Sequence, residues 1–303
     1  MSPCPAPNPT PDESARPTRR PSWLRVPARD NPGFHRLKRL LRSQGLHTVC
    51  EEANCPNISE CWSRGTATFL ILGDTCTRSC RFCNVKTGRP GPSAPREGRR
   101  VAQAVQALRL EHVVVTSVDR DDLADGGAEA FTSVVREIRS LRPSCTIEVL
   151  IPDFRGRVEP LVRVLEAQPD IIGHNVDTTP GLFATVRPQC RYSWSLATLR
   201  KAKELRPEGV TKSGLMLGLG ETTEEVISTM AGLREVGVDC LTLGQYLQPT
   251  RRHAAISRYY APQEFDELRR RGEEMGFRWV ESGPLVRSSY NAGAQAQALL
   301  GDH

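Results

Sequence analysis

From position 69 onward the chain repeats one pattern: a short, nearly continuous apolar run, then a helix-length stretch with apolar residues on one face. The runs are FLIL (69–72), HVVVTSV (112–118), CTIEVLI (145–151), DIIGHNV (170–176), SGLMLGL (213–219) and DCLTLGQ (239–245), with a further short strand expected at FRWVES (277–282). The intervening helices are expected over 99–109, 127–141, 157–167, 193–205, 222–236 and 263–275. The 222–236 stretch opens TTEEV, a threonine N-cap with glutamate in the first turn. Strands apolar on both faces that alternate with helices belong to a parallel sheet covered by helices. The pattern therefore predicts an α/β fold. Six βα units fit a partial barrel of about six strands better than a full eight-unit barrel. A doubly wound open sheet is the alternative. No GxGxxG follows the first run, which weakens a dinucleotide-binding version of it.

The ten cysteines are unevenly placed: six fall within the 34 positions from 50 to 83. No signal-peptide core precedes them, so metal binding is a better default than a disulfide framework. Cys76, Cys80 and Cys83 are spaced C-x3-C-x2-C on the loop that leaves the first apolar run. In parallel βα proteins that end of the strand is where chemistry sits. Three thiolates can hold three corners of a cubane iron–sulfur cluster and leave the fourth iron open, as a catalytic metal site requires. A closed tetrahedral zinc needs a fourth ligand, and no histidine lies nearby to supply it. Cys50, Cys55 and Cys61, spaced C-x4-C-x5-C, form a second triad. Two triads imply two clusters, and the second must relay electrons, bind substrate or donate atoms.

The C-x3-C-x-aromatic-C spacing, with Phe82 at the aromatic position, resembles the radical S-adenosylmethionine (SAM) superfamily. The resemblance implies a partial (β/α)6 barrel, a 4Fe–4S cluster on Cys76, Cys80 and Cys83, and SAM bound at the open iron and cleaved reductively to a 5′-deoxyadenosyl radical. The segments TVCEEANCPNISECW, CTRSCRFCNV, VTSVDRDDLADGGA, HNVDT, TKSGLMLGLGETTEEV, LTLGQYLQPT and SGPLVRSSYNAG together resemble the lipoyl synthase family from about Trp23 to Gly293. That resemblance implies insertion of two sulfur atoms, at C6 and C8, into an octanoyl group amide-linked to a lysine of a lipoyl carrier domain or of the glycine-cleavage H protein. It implies SAM and two 4Fe–4S clusters, the auxiliary one on Cys50, Cys55 and Cys61 and consumed as the sulfur source. An electron donor such as flavodoxin or ferredoxin and an iron–sulfur carrier protein are implied partners. The chemistry agrees, because unactivated methylenes offer neither an acidic proton nor a leaving group. Biotin synthase and methylthiotransferases are the nearest alternatives. The RSSY motif and the N-terminal position of the second triad count against both.

The fourth ligand of the auxiliary cluster is open on spacing alone, since no fourth cysteine is well placed. The resemblance implies a serine of RSSY, placed at Ser289 with Ser288 as fallback, flanked by Arg287 and Tyr290. Ser117, Asp119, Asn175 and Gly218 stand at strand ends and are expected to contact SAM, and Gly220 would likewise let backbone approach it. No catalytic residue beyond the cluster ligands is expected. His174 reads as a hydrogen-bonded wall residue, Cys145 and Cys240 as core, and Cys190 and Cys4 as lacking a metal-ligand neighbour.

The expected organisation is a disordered, basic, proline-rich arm over 1–32, an N-terminal extension with the auxiliary motif over 33–66, the barrel over 67–282 and a C-terminal segment with RSSY over 283–303. A short amphipathic helix is expected over 34–46. Residues 1–45 carry nine basic and three acidic side chains, the whole of the net charge of +6. The remainder is neutral, so the composition gives no support to nucleic-acid binding by the body of the chain. No run reaches the length of a membrane span, and a cytoplasmic location is expected.

Overall fold

The structure, a computed structural model, describes residues 19–26, 32–63, 66–92 and 94–301. Four short elements come first: α1 (Pro32–Ser43), β1 (His47–Thr48), α2 (Val49–Glu52) and α3 (Ile58–Ser63). Gly45, at φ 57°, ends the first helix while the Leu46 amide reaches back to the Leu41 carbonyl. Next come β2 (Thr68–Ile71), the two-residue strands β3 (Thr75–Cys76) and β4 (Lys86–Thr87), α4 (Glu97–Leu108), β5 (His112–Ser117), α5 (Ala128–Leu141), β6 (Thr146–Leu150), α6 (Val158–Glu166) and β7 (Ile171–Gly173). The chain continues through α7 (Pro180–Val186), α8 (Tyr192–Leu205), β8 (Val210–Leu217), α9 (Thr223–Glu235), β9 (Cys240–Gln245), α10 (Pro262–Glu274), β10 (Trp279–Gly283) and α11 (Ala292–Leu300). Thr222 caps α9 as expected, in a reciprocal capping box with Glu225.

The main sheet runs β1-β2-β5-β6-β7-β8-β9-β10, antiparallel at the β1–β2 pair and parallel elsewhere. Its parallel strands follow one another in sequence order. A doubly wound sheet reverses direction at a switch point, so this order identifies a singly wound, partial barrel. The sheet packs against its helices through two main clusters, one around Phe69, Val115, Phe131 and Val149, the other around Leu215, Met230, Leu243 and Phe265.

The C-terminal segment spans the gap between the first and last strands. Gln245 N–H donates to the Pro284 carbonyl, Asn57 Nδ2 to the Leu285 carbonyl at 2.7 Å, and Thr68 Oγ1 to Ser289 Oγ at 2.7 Å. Gly244 makes this crossing possible, because a Cβ there would meet the Val286 carbonyl oxygen at 2.1 Å. Beyond it, α11 plugs the amino-terminal end of the barrel, with Ala296 and Leu299 packed on Ile171, Val210 and Cys240. Under the plug lies a buried ion pair, Lys212 Nζ to Glu148 Oε1 at 2.9 Å.

The arm expected over 1–32 lies largely outside the described residues. Its described part departs from that expectation: Ser22–Leu24 forms a 3-10 turn and Leu24 is fully buried, so packed structure begins before position 33. No described helix is long and apolar enough to cross a membrane.

Candidate functional site

The chain leaves β2 through Leu72 and Gly73, both at positive φ, and so turns sharply into the first cysteine loop. Cys76, Cys80 and Cys83 line one cavity at the carboxyl ends of the strands, shared with Ser117, Asp119, Asp177 and Arg187. The Cys76 sulfur accepts the amides of Arg78 at 3.4 Å and Asp119 at 3.3 Å. Leu70, Phe82 and Val85 add apolar walls beside the thiols. Burial, reinforced by Asp119, pushes the Cys76 thiol up to about 12, and burial takes Cys83 up to about 11. These thiols are protonated near neutral pH in the cluster-free chain, so a metal must displace their protons to bind.

Arg78, between the first two cysteines, anchors the loop. Its side chain is fully buried and forks twice: Nε and Nη2 donate to Asp121 at 2.8 and 2.9 Å, and Nη1 and Nη2 to Asp153 at 2.9 and 2.7 Å. Asp119 lies 3.4 Å from Nη1. The loop is thereby tied to the ends of β5 and β6. Burial opposes the charge of Asp153, but the Arg78 bonds hold its carboxyl below the usual range. Arg187 plays a similar part across the cavity, with Nη1 donating to the Asn175 carbonyl at 3.0 Å and lying 3.3 Å from Asp177. Burial raises the Asp177 carboxyl to about 6 against the pull of Arg187.

Of the residues expected to contact SAM, Ser117 and Asp119 line the thiol cavity, whereas Asn175 and Gly218 do not. The glycine at 218 has another cause: φ is 101°, and a Cβ would meet Gln245 Nε2 at 2.2 Å and the Arg258 carbonyl at 2.5 Å. Gly220, at φ 123°, has no atom closer than 3.9 Å to such a Cβ. His174 is hydrogen-bonded as expected but lines neither thiol cavity. It is buried between the Ile151 carbonyl at 2.8 Å and Ser195 Oγ at 2.9 Å, and burial takes it down to about 4. Cys145 and Cys240 are core residues. Cys190 corrects the sequence reading. It is buried, accepts from Arg78 Nη1 at 3.2 Å and shares a hydrogen bond with Cys80 that raises Cys80 and lowers Cys190. The loop after α7 folds back under the cysteine loop, a long-range contact that spacing does not reveal. Cys4 lies outside the described residues.

Cys50, Cys55 and Cys61 line a second cavity with Thr68, Arg287, Ser289 and Tyr290, and Ser288 is not among its walls. Burial raises Cys50 and Cys55, and Arg287 opposes the shift at Cys55. Thr68 and Leu70 stand two positions apart on β2, hence on one face. The first lines this cavity and the second lines the other.

Among the described residues, no three His, Cys, Asp or Glu side chains come together closely enough to hold a single metal ion. Each triad instead surrounds a cavity, which fits a cubane whose irons occupy separate corners. The all-sulfur donor sets suit iron–sulfur chemistry. Ser117 Oγ is buried without a partner at the edge of the first cavity, an acceptor and donor left over for a ligand there. Sequence reasoning missed Arg78, Arg187, Asp177 and Thr68. The one available signal was an arginine lodged between two ligand-spaced cysteines. The other three depend on contacts from distant segments.

Residues 70–232 match the radical SAM superfamily. The chain is 54% identical to a lipoyl synthase of Rubrobacter xylanophilus, over 92% of this chain and 87% of that one. It is 53% identical to a lipoyl synthase of Azotobacter vinelandii, over 94% and 88%. Among solved structures, methylornithine synthase aligns with a TM-score of 0.53 and 13% identity, over 84% of this chain and 78% of that one. Streptococcus suis SuiB bound to S-adenosylmethionine aligns with a TM-score of 0.53 and 11% identity, over 72% and 49%.

Proposed function

The chain belongs to the lipoyl synthase family of the radical SAM superfamily, and on that premise we propose how its own residues serve the insertion of sulfur at C6 and C8 of a protein-bound octanoyl-lysine. Cys76, Cys80 and Cys83 hold one 4Fe–4S cluster, and Cys50, Cys55 and Cys61 with Ser289 hold the auxiliary one. When bound, the first cluster supplies the electron that cleaves SAM and the second supplies the sulfur atoms.

Ser117 and Asp119, at the end of β5, offer polar groups to the polar portion of SAM. Asn175 acts on the same rim from behind the cavity wall, through the bond of its carbonyl to Arg187, whereas Gly218 packs against Gln245 and Arg258. Arg78 holds the cysteine loop in register with β5 and β6 through Asp121 and Asp153. Leu70, Phe82 and Val85 give the cavity apolar walls, against which the radical meets few polar groups. Ser289, an oxygen donor harder than a thiolate, suits the corner that has to be released. Thr68 bonds to its hydroxyl and so fixes where that corner sits.

The single observation that carries this reading is the alternation along β2. Thr68 and Leu70, about 7 Å apart along the strand by its rise, each line one of the two thiol cavities, so the same strand walls both. Hydrogen abstraction and sulfur delivery must act on one methylene, and this adjacency allows it. The substrate is a lipoyl-domain protein. We take its carriers to be lipoyl domains and the glycine-cleavage H protein, its reductant a flavodoxin or ferredoxin, and its cluster supply an iron–sulfur carrier, all in the cytoplasm. The test is anaerobic incubation of reconstituted protein with SAM, dithionite and an octanoyl-lysine peptide, followed by mass analysis. Lipoyl-lysine is expected. SAM cleavage with no sulfur in the peptide would reject sulfur insertion.

A further inference from the structure

A groove of about 510 Å³ lies beside the first cysteine loop, walled by Arg81 on one side and by Gln248 and residues 251–255 on the other. It shares no lining residue with either thiol cavity. Arg81, Arg251 and Arg252 are exposed in it, and none of them pairs with a carboxylate among the described residues. Three unneutralised guanidinium groups in one concavity give a strongly positive local field. Because these arginines are exposed, the groove suits the acidic side chains of a protein rim better than an enclosed small anion.

The groove is also mechanically part of the cluster loop. A carbonyl can only accept, so His253 Nε2 carries the hydrogen donated to the Cys83 carbonyl at 3.0 Å, and Nδ1 meets Thr250 Oγ1 at 2.9 Å. The Ala254 amide donates to the Arg81 carbonyl at 2.8 Å. One groove wall is therefore bonded to the backbone of a proposed cluster ligand, and that backbone separates the groove from the thiol cavity.

We propose that this groove docks a small acidic one-electron carrier protein and is the entry point for the electron used at Cys76, Cys80 and Cys83. The proposal rests on the radical SAM reading of that cavity. In each transfer the carrier is oxidised by one electron and the iron–sulfur group held there is reduced by one. No proton or bond moves at the groove. An octanoylated carrier domain has different needs, since its acyl chain must enter the thiol cavities, with which the groove shares no lining residue.

The experiment uses the full-length, two-cluster protein and a reduced flavodoxin, with Arg251→Glu/Arg252→Glu as the test variant and Arg251→Gln/Arg252→Gln as its milder counterpart. Arg136→Glu, on the exposed side of α5, is the charge control. Stopped-flow absorbance follows cluster reduction, and titration calorimetry follows binding. At low ionic strength the Glu pair should slow reduction by flavodoxin at least about tenfold, the Gln pair less, and the control not at all. Salt should shrink the difference. With dithionite at high ionic strength, where long-range steering is screened, all four proteins should be reduced at similar rates and make product from an octanoyl-lysine peptide. Unchanged flavodoxin kinetics and affinity in the Glu pair would overturn the proposal. So would a Glu pair defective only toward octanoylated lipoyl domain under dithionite, which would make the groove a substrate dock. Wild-type protein that makes no product with dithionite would instead reject the sulfur-insertion reading, independently of the groove.

Discussion

Replacing Arg78 with methionine keeps most of the buried volume and removes the charge that Asp121 and Asp153 bind in two forks and that Asp119 approaches at 3.4 Å. Asp121 is about a quarter exposed and can recover water, whereas Asp153 is fully buried and cannot. The loss should therefore track the stranded Asp153 charge rather than the number of bonds broken. Removing one partner of a buried ion pair costs about 3–5 kcal/mol. Against a total stability of about 5–15 kcal/mol that is a large fraction. Arg78→Lys keeps a charge but cannot fork twice, so it should fall between the two. Arg78→Met/Asp153→Asn should be more stable than the sum of its single variants implies, by about 1–3 kcal/mol, because the stranded charge is gone. The assay is equilibrium urea unfolding of cluster-free protein under reducing, anaerobic conditions. A loss below about 1 kcal/mol in Arg78→Met, or strict additivity in the double variant, would refute the reasoning.

Further outcomes separate the two triads and test the barrel interior. Cys80→Ala should abolish SAM cleavage, while Cys55→Ala should still cleave SAM and yield no lipoyl product; normal product from Cys55→Ala in a mass assay would remove the sulfur-donor role. Ser289→Cys should retain auxiliary-cluster iron but slow sulfur insertion, with Ser288→Cys doing less; wild-type yield from Ser289→Cys with altered yield from Ser288→Cys would move the ligand to Ser288. Burial opposes the Glu148 charge, but Lys212 holds its folded pKa below the usual glutamate value, so the unfolded chain binds the extra proton first. The stability this group contributes is complete above about pH 4.3 and fades as pH falls through the lower folded pKa. Glu148→Gln should therefore flatten the acid limb of a stability–pH curve from urea melts, and an unchanged limb would contradict the assignment.

The strand runs and helices were legible because burial on both faces leaves a continuous apolar signature, and all six runs lie on strands. Their ends were less so. DIIGHNV yields only Ile171–Gly173 as strand, since His174 to Asp177 turn into the site and Asp177 sits at φ 66°. Strand β8 begins three residues before the expected 213, because Thr211 and Lys212 look exposed in sequence but are buried on opposite faces, Thr211 donating to the Gly237 carbonyl and Lys212 meeting Glu148. The thiols announced themselves by spacing. Their supports did not: Arg78 meets Asp153 across 75 positions, Thr68 meets Ser289 across 221, and Cys190 reaches the loop across 112. Local patterns carry the strands and the ligand triads, while the groups that position them are set by topology.

The central claim is that Cys50, Cys55 and Cys61 hold the sulfur that ends in the product. Its most direct test is a single-turnover mass measurement on protein whose clusters were rebuilt with heavy-isotope sulfide, given SAM, dithionite and an octanoyl-lysine peptide in unlabelled buffer. The account predicts that both sulfurs of the lipoyl product are heavy, with one product at most per auxiliary site, and that Cys55→Ala gives none. Light sulfur in the product, or heavy product from Cys55→Ala, would contradict it.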